Sequence, residues 1–186
     1  PPGVSGAGAP VSAQTGSGKT VAFGLALAPT LLGEAEQFEA AEAPLALVVA
    51  PTRELAMQVR RELEWLYELT GVKLASCVGG MDYRTERRTL ERGAHIVVGT
   101  PGRLRDHITR TSLDTSQLRA VVLDEADEML DLGFREALEF ILEAAPEERR
   151  TLLFSATVPR TIATLATQHP RDARPVPTSV SPRPPL

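Results

Sequence analysis

Five short apolar runs constrain this chain more than any other feature: Leu45–Ala50, Leu74–Val78, His95–Val98, Ala120–Leu123 and Thr151–Phe154. They are rich in valine and leucine, and a segment of helical period follows each. Strands this short and this apolar are buried on both faces. Such strands belong to parallel sheets with helices packed above and below. The clearest helical pattern is Glu54–Leu69, which places Leu55, Val59, Leu63, Leu66 and Leu69 on one face, with Met57 and Trp65 adding core bulk near it. The longest uncharged run, Val21–Gly33, reads as a buried core helix interrupted by Pro29; it is too short to span a bilayer. The expected fold class is α/β, a mainly parallel sheet with helices on both faces. In such sheets ligands bind beyond the carboxyl ends of the strands, and the polar motifs of this chain follow directly after its apolar runs.

One polar string precedes them: Ala13-Gln14-Thr15-Gly16-Ser17-Gly18-Lys19-Thr20. A glycine-rich loop that opens a helix turns its backbone N–H groups inward and cradles phosphate oxygens. Gly16 and Gly18 permit close approach, Lys19 can reach the β- and γ-phosphates, and the Thr20 hydroxyl can hold Mg²⁺. The helix N-terminus adds positive potential at the anion. The competing reading is a Gly/Ser linker ahead of a helix, and the first position is Ala13 where the general pattern has glycine. Asp124-Glu125-Ala126-Asp127 follows the run Ala120–Leu123. A carboxylate at the end of a buried strand can hold Mg²⁺ opposite Thr20, and Glu125 can orient or deprotonate an attacking water. An acidic helix start is the plain alternative, but the phosphate loop supplies the other half of a Mg·ATP site.

The chain resembles the DEAD-box ATP-dependent RNA helicases, nearest to bacterial members, over roughly Val11–Gln168. The resemblance rests on AQTGSGKT at 13–20, PTRELA at 51–56, Gly79-Gly80, TPGR at 100–103, DEAD at 124–127 and SAT at 155–157, in the order the family shows. It implies a RecA-like P-loop NTPase domain that couples ATP binding and hydrolysis to local unwinding of RNA duplexes. By the same resemblance, Lys19 and Thr20 would bind phosphates and Mg²⁺, Asp124 would support the metal and Glu125 would be the base. Asp127 would join a polar network to a second domain, and Ser155, Ala156 and Thr157 would couple hydrolysis to strand separation. Pro51, Thr52, Arg53, Gly79, Gly80, Thr100, Pro101, Gly102 and Arg103 would grip RNA. The residue chemistry agrees: Thr52 and Thr100 stand ahead of predicted helices with free N–H groups, and few of these side chains can read a base edge. Binding is therefore expected to be independent of RNA sequence. The arginine-rich helix Asp82–Arg92 is either a further nucleic-acid contact or a solvated face in which Glu86 and Glu91 are interleaved.

Net charge is −4, so nucleic-acid binding has to come from a local site rather than a global field. A single cysteine, Cys77, excludes an internal disulfide, and its apolar surroundings read as core. The histidines at 95, 107 and 169 show no metal-ligand spacing. The expected organisation is an irregular Gly/Pro-rich stretch at 1–10, an ATP-binding domain at 11–169, and a tail at 170–186 that holds six prolines. Residues 1–10 do not match the family's adenine-reading segment, and the first strand is reduced to little more than Val11. The chain starts on Pro1, with no signal peptide visible, and reads as a fragment or processed product without the second RecA-like domain. Expected partners are RNA and that second domain, with no membrane; a cytoplasmic monomer is expected, weakly active or inactive alone. The alternatives are a non-catalytic nucleotide- or RNA-binding or protein-docking module, and a P-loop ATPase unrelated to RNA.

Overall fold

A computed structural model describes residues 17–156 and Arg160. The expectations for Ala13–Gly16, Thr157, the 1–10 stretch, a ragged strand at 174–180 and the proline-rich tail lie outside the described residues.

Each apolar run forms a strand, displaced by no more than a residue or two from its sequence bounds. The strands are β1 (Ala46–Val49), β2 (Leu74–Cys77), β3 (Ile96–Gly99), β4 (Ala120–Leu123) and β5 (Arg150–Leu153). All pair in parallel, in the order β2-β3-β1-β4-β5. The helices are α1 (Ser17–Leu32), α2 (Arg53–Leu66), α3 (Tyr83–Glu91), α4 (Pro101–Thr109), α5 (Ala126–Asp131) and α6 (Arg135–Ala144).

Successive side chains along a strand point to opposite faces, and both faces are apolar here. Ala46, Val48, Ile96, Val98, Ala120 and Val122 meet Phe23, Leu27, Val59 and Leu63 of α1 and α2. Leu47, Val49, Val97, Val121 and Leu123 meet Leu104, Met129, Leu138 and Ile141 of α4, α5 and α6. The central strands are buried at every position, which is why they read as continuous apolar runs rather than as alternation.

Three expectations about the first helices are corrected. Pro29 lies inside α1 and does not end it. A proline forfeits the bond to the carbonyl four residues earlier; here that residue is Leu25, whose side chain is 58% exposed, so α1 is not buried all round. Trp65 and Leu69 are exposed rather than core. The inner face of α2 is Ala56, Val59 and Leu63, and Trp65 is two residues, or about 200°, past Leu63. Leu69 follows the end of α2 at Tyr67, in a 3₁₀ turn over Glu68–Thr70, so the 3.6-residue phase no longer applies to it.

The order of the strands places the site. After β1 the chain passes to α2 on one face; after β4 it passes to α5 and α6 on the other. The crevice where the connections diverge lies at the carboxyl ends of β1 and β4.

Candidate active site

At that crevice the first turn of α1 meets the end of β4. Lys19 Nζ is 3.0 Å from Asp124 Oδ1 and 3.8 Å from Glu125 Oε1. The Asp124 side chain is buried and, apart from this ion pair, neither of its oxygens has a hydrogen-bond partner among the described residues. Burial raises its carboxyl above the ordinary value, and the nearby Lys19 ammonium offsets only part of that. Thr20, next to Lys19, is 3% exposed. A buried anionic oxygen without a donor is the environment a hard cation completes, so Asp124 and the Thr20 hydroxyl fit Mg²⁺ as a donor set.

Glu125 adopts φ 51° and ψ 53° at the start of α5, the left-handed region a non-glycine residue rarely occupies. That conformation costs on the order of 1–3 kcal/mol. It turns the side chain toward Lys19 and into a cleft of about 310 Å³ lined by Lys19, Glu125, Asp127, Glu128, Asp131, Ser155 and Ala156. A hydrogen bond with the Glu128 carboxyl and partial burial push Glu125 up to about 7 against the opposing pull of Lys19. A carboxylate in that range is matched to accepting a proton near neutral pH.

The DEAD and SAT strings are in contact. The Asp127 amide donates to Ser155 Oγ at 3.2 Å, and the Ala126 amide donates to the Phe154 carbonyl at 3.1 Å. The start of α5 is thereby tied to the end of β5, and a shift in one moves the other.

A second cluster occupies the carboxyl ends of β2 and β3. Gly79 and Gly80 hold φ of 70° and 64°, a conformation that favours glycine. A Cβ on Gly80 would also collide with the Arg53 guanidinium, which lies over the turn. Thr52 caps α2, its Oγ1 accepting from the Leu55 amide at 3.2 Å. Thr100 stands at the same position of α4 without a side-chain cap, so the first-turn amides there retain their donor capacity. Pro51 and Pro101 are buried; they shape the two helix starts and offer little surface. Arg53 and Gly102 are exposed, while the Arg103 side chain is 18% exposed.

Sequence reasoning missed the residues beneath this cluster. Glu86 is the buried residue of α3, 4% exposed, and not one of the solvated charges of an arginine-rich face. Arg84, Arg87, Arg88 and Arg92 are exposed as expected, and Arg87 pairs with Glu91. His107 of α4 is fully buried, with its Nε2 2.9 Å from Glu86 Oε1. The donor atoms of Cys77, Glu86 and His107 lie within 4.8 Å of one another. The ligand-like grouping is tertiary, and no sequence spacing could reveal it. Glu86 and His107 already bond to each other, to the Val78 amide and to Ser112. Burial and the neighbouring Glu86 raise the Cys77 thiol well above its ordinary range, in accord with a core cysteine.

A larger hollow of about 480 Å³ lies elsewhere, lined in part by Leu31, Phe38, Glu39, His95 and Arg119. Its polar groups serve the fold. His95 Nδ1 accepts from the Lys73 amide, so Nε2 carries the proton that meets the Glu39 carbonyl, and the ring stacks on Phe38. Arg119 donates to the Leu31 carbonyl. No helix among the described residues is long and apolar enough to cross a membrane.

Comparison with known proteins agrees with this geometry. The profile of the family described as DEAD/DEAH box helicase matches residues 1–165. The chain is 50% identical over 157 residues to the DEAD-box ATP-dependent RNA helicase CshA of Streptococcus pneumoniae serotype 4, covering 84% of this chain and 29% of that protein. It is 46% identical over 176 residues to the ATP-dependent RNA helicase DeaD of Escherichia coli K12, covering 92% of this chain and 27% of that protein. A crystal structure of a DEAD box protein from the hyperthermophile Methanococcus jannaschii superposes with a TM-score of 0.72 at 42% identity, over 83% of this chain and 40% of that one. The chain spans less than a third of the length of these two curated relatives.

Proposed function

Because the chain belongs to the DEAD/DEAH box helicase family, we propose that it is the ATP-binding RecA-like domain of an RNA helicase that couples ATP turnover to local opening of RNA duplexes. The observation that carries this reading is the convergence of Lys19, Asp124 and Glu125 at the switch point of the sheet, within 3.0 and 3.8 Å of one another through the lysine.

Lys19 exchanges its carboxylate partners for the β- and γ-phosphates, so nucleotide binding also leaves Asp124 in need of another cation. Thr20 and Asp124 would hold Mg²⁺, which when bound neutralises phosphate charge and polarises the transferred group. Glu125, strained into the cleft, accepts the proton of the attacking water. Ala13–Ser17 would supply backbone donors to the phosphates. A second RecA-like domain would close the site and contribute an arginine finger, a device worth roughly 10³–10⁵ in rate where NTPases use one. Alone, this domain is expected to turn over ATP slowly or not at all.

RNA would lie across the ends of β2, β3 and β1, held by the Gly79–Gly80 backbone, Arg53, Thr52, and Thr100, Gly102 and Arg103 at the start of α4. These groups suit phosphates and sugars, so recognition would not depend on base sequence. The Asp127–Ser155 bond would transmit a change at the phosphates to β5 and to the domain beyond it.

The test is ATPase activity of the full-length protein with and without single-stranded RNA. RNA stimulation of at least several-fold is expected. Turnover indifferent to RNA would leave a P-loop ATPase unrelated to RNA, and nucleotide binding without turnover would leave a binding module.

A further inference from the structure

Glu86 has no part in the nucleotide chemistry, yet it is the most connected buried acid among the described residues. Its Oε2 accepts from the Val78 amide at 2.9 Å, at the residue just before Gly79. Its Oε1 is 2.9 Å from His107 Nε2 and 3.6 Å from Arg103 Nε, both on α4. Since a carboxylate only accepts, His107 donates through Nε2. A chain of hydroxyls backs that ring: His107 Nδ1 lies 2.8 Å from Ser112 Oγ, and Ser112 Oγ lies 2.7 Å from the Tyr83 hydroxyl. Tyr83 stacks on the His107 ring, with centroids 4.3 Å apart and planes 11° apart.

Arg103 is held from several sides. Besides Glu86, its Nη2 donates to the Met81 carbonyl at 3.2 Å, and its Cζ lies 5.8 Å from the centre of the Tyr83 ring. The Gly79 backbone passes close beneath the same guanidinium. One carboxylate therefore joins the end of β2, the inner face of α3 and the first turn of α4.

We propose that Glu86 is a positioning residue for RNA binding: it locks the Gly79–Gly80 turn to the start of α4, with Arg103 as the strut between them rather than a free phosphate ligand. The proposal rests on the RNA-binding reading of this edge. The phosphate-facing groups are backbone donors on two separate elements, and they can grip one strand only if the spacing between those elements is constant. A buried, fully bonded carboxylate with partners on both elements sets that spacing. An exposed ion pair would not, since solvent competes for it and its side chains remain mobile.

The test compares wild type, Glu86→Gln and Glu86→Ala in the full-length protein. RNA affinity is read by fluorescence anisotropy on a labelled oligouridylate with a non-hydrolysable ATP analogue, across a salt series. Nucleotide affinity is read separately without RNA. Glutamine can still accept from Val78 and face His107 but loses the charge on Arg103; alanine loses all three partners. RNA affinity is expected to fall by roughly threefold in Glu86→Gln and by about tenfold or more in Glu86→Ala. The slope of log affinity against log salt should shrink by about one phosphate contact in the alanine variant. Nucleotide affinity should stay within about twofold of wild type in both.

Unchanged RNA affinity and salt slope in both variants would overturn the proposal, as would tighter binding by Glu86→Gln, which would mean that Arg103 must leave Glu86 to bind RNA. A parallel loss of nucleotide affinity would assign Glu86 to general folding instead. Should the alanine variant fail to fold, Glu86→Gln and His107→Gln carry the same comparison. Wild-type protein that binds no RNA would overturn the RNA reading and this proposal together; wild-type binding with unaffected variants overturns the proposal alone.

Discussion

Two buried carboxylates at the carboxyl edge of the same sheet are treated in opposite ways. Asp124 ends β4 with one lysine near it and no hydrogen-bond donor among the described residues. Glu86 reaches the end of β2 with a backbone amide, an imidazole and a guanidinium around it. A buried acid left unsatisfied costs stability, and the fold keeps one where a cation and phosphates would complete it. A satisfied one holds its neighbours in place. The contrast separates the corner built to receive a ligand from the corner built to hold a shape.

The largest effect is expected beside the unsatisfied acid. Glu125→Gln should reduce ATP turnover of the full-length protein by roughly 10²–10⁴, the range for a lost general base, with nucleotide affinity little changed. Steady-state ATPase assays read this, and undiminished turnover would remove Glu125 from the role. Because Glu125 must be deprotonated to act and is held near 7, kcat/KM of the wild type should fall as pH drops through about 7, and that limb should vanish in the variant.

Lys19→Ala should weaken Mg·ATP binding by on the order of 2–5 kcal/mol, because one side of a charge-assisted contact is lost while the phosphates remain. Calorimetry on both proteins, with ATP and GTP, reads the loss and tests for base preference in the same run. Equal affinity in the variant would mean that Lys19 belongs to its carboxylate partners alone.

Stability sets the two acids directly against each other. Asp124→Asn removes a buried charge that burial disfavours, so the ligand-free protein should gain about 1 kcal/mol, a rise in Tm of about 2–4 °C, while metal-dependent nucleotide binding is lost. Glu86→Ala leaves the Val78 amide and His107 without their acceptor and should cost roughly 2–4 kcal/mol. Thermal denaturation of the two variants side by side reads both signs. Destabilisation of equal size would erase the distinction drawn here.

The smallest effect lies away from both corners. The buried Tyr67 hydroxyl donates to the Gly24 carbonyl and ties α2 to α1; Tyr67→Phe should cost about 1 kcal/mol. Burial pushes this phenol up to about 12. The fold accepts the neutral form, so its contribution is intact below the unfolded value near 10 and is lost as pH rises toward about 12. Alkaline denaturation of the wild type should show that slope, and the phenylalanine variant should lack it.

Much of this molecule was legible in its residues because the relevant signals are local. Strands buried on both faces need apolar side chains at every position, so β1, β3 and β4 declared themselves as Ala46–Val49, Ile96–Gly99 and Ala120–Leu123. Lys19, Asp124 and Glu125 announced themselves because phosphate and metal chemistry demands those residue types directly after strands or at a helix start. Phase was legible only while α2 lasted: Val59 and Leu63 faced the core as read, but the helix stopped before Leu69 and turned Trp65 outward.

What only the tertiary structure decided is the use made of residues far apart in the chain. Glu86 looked like one charge among many on a solvated helix, and His107 like a scattered histidine. Their roles come from Val78, Arg103 and Ser112, which reach them only because parallel pairing of β2 with β3 brings α3 and α4 side by side. The strain at Glu125 and the missing partners of Asp124 are likewise invisible in a string of letters, since backbone angles and solvent exclusion arise when the whole sheet closes. The sequence by itself determined which strands form, which helices flank them and which motif carries the chemistry, because short-range pattern encodes burial. Whether a buried acid is satisfied or left for a ligand depends on long-range contacts, and those exist only in the folded chain.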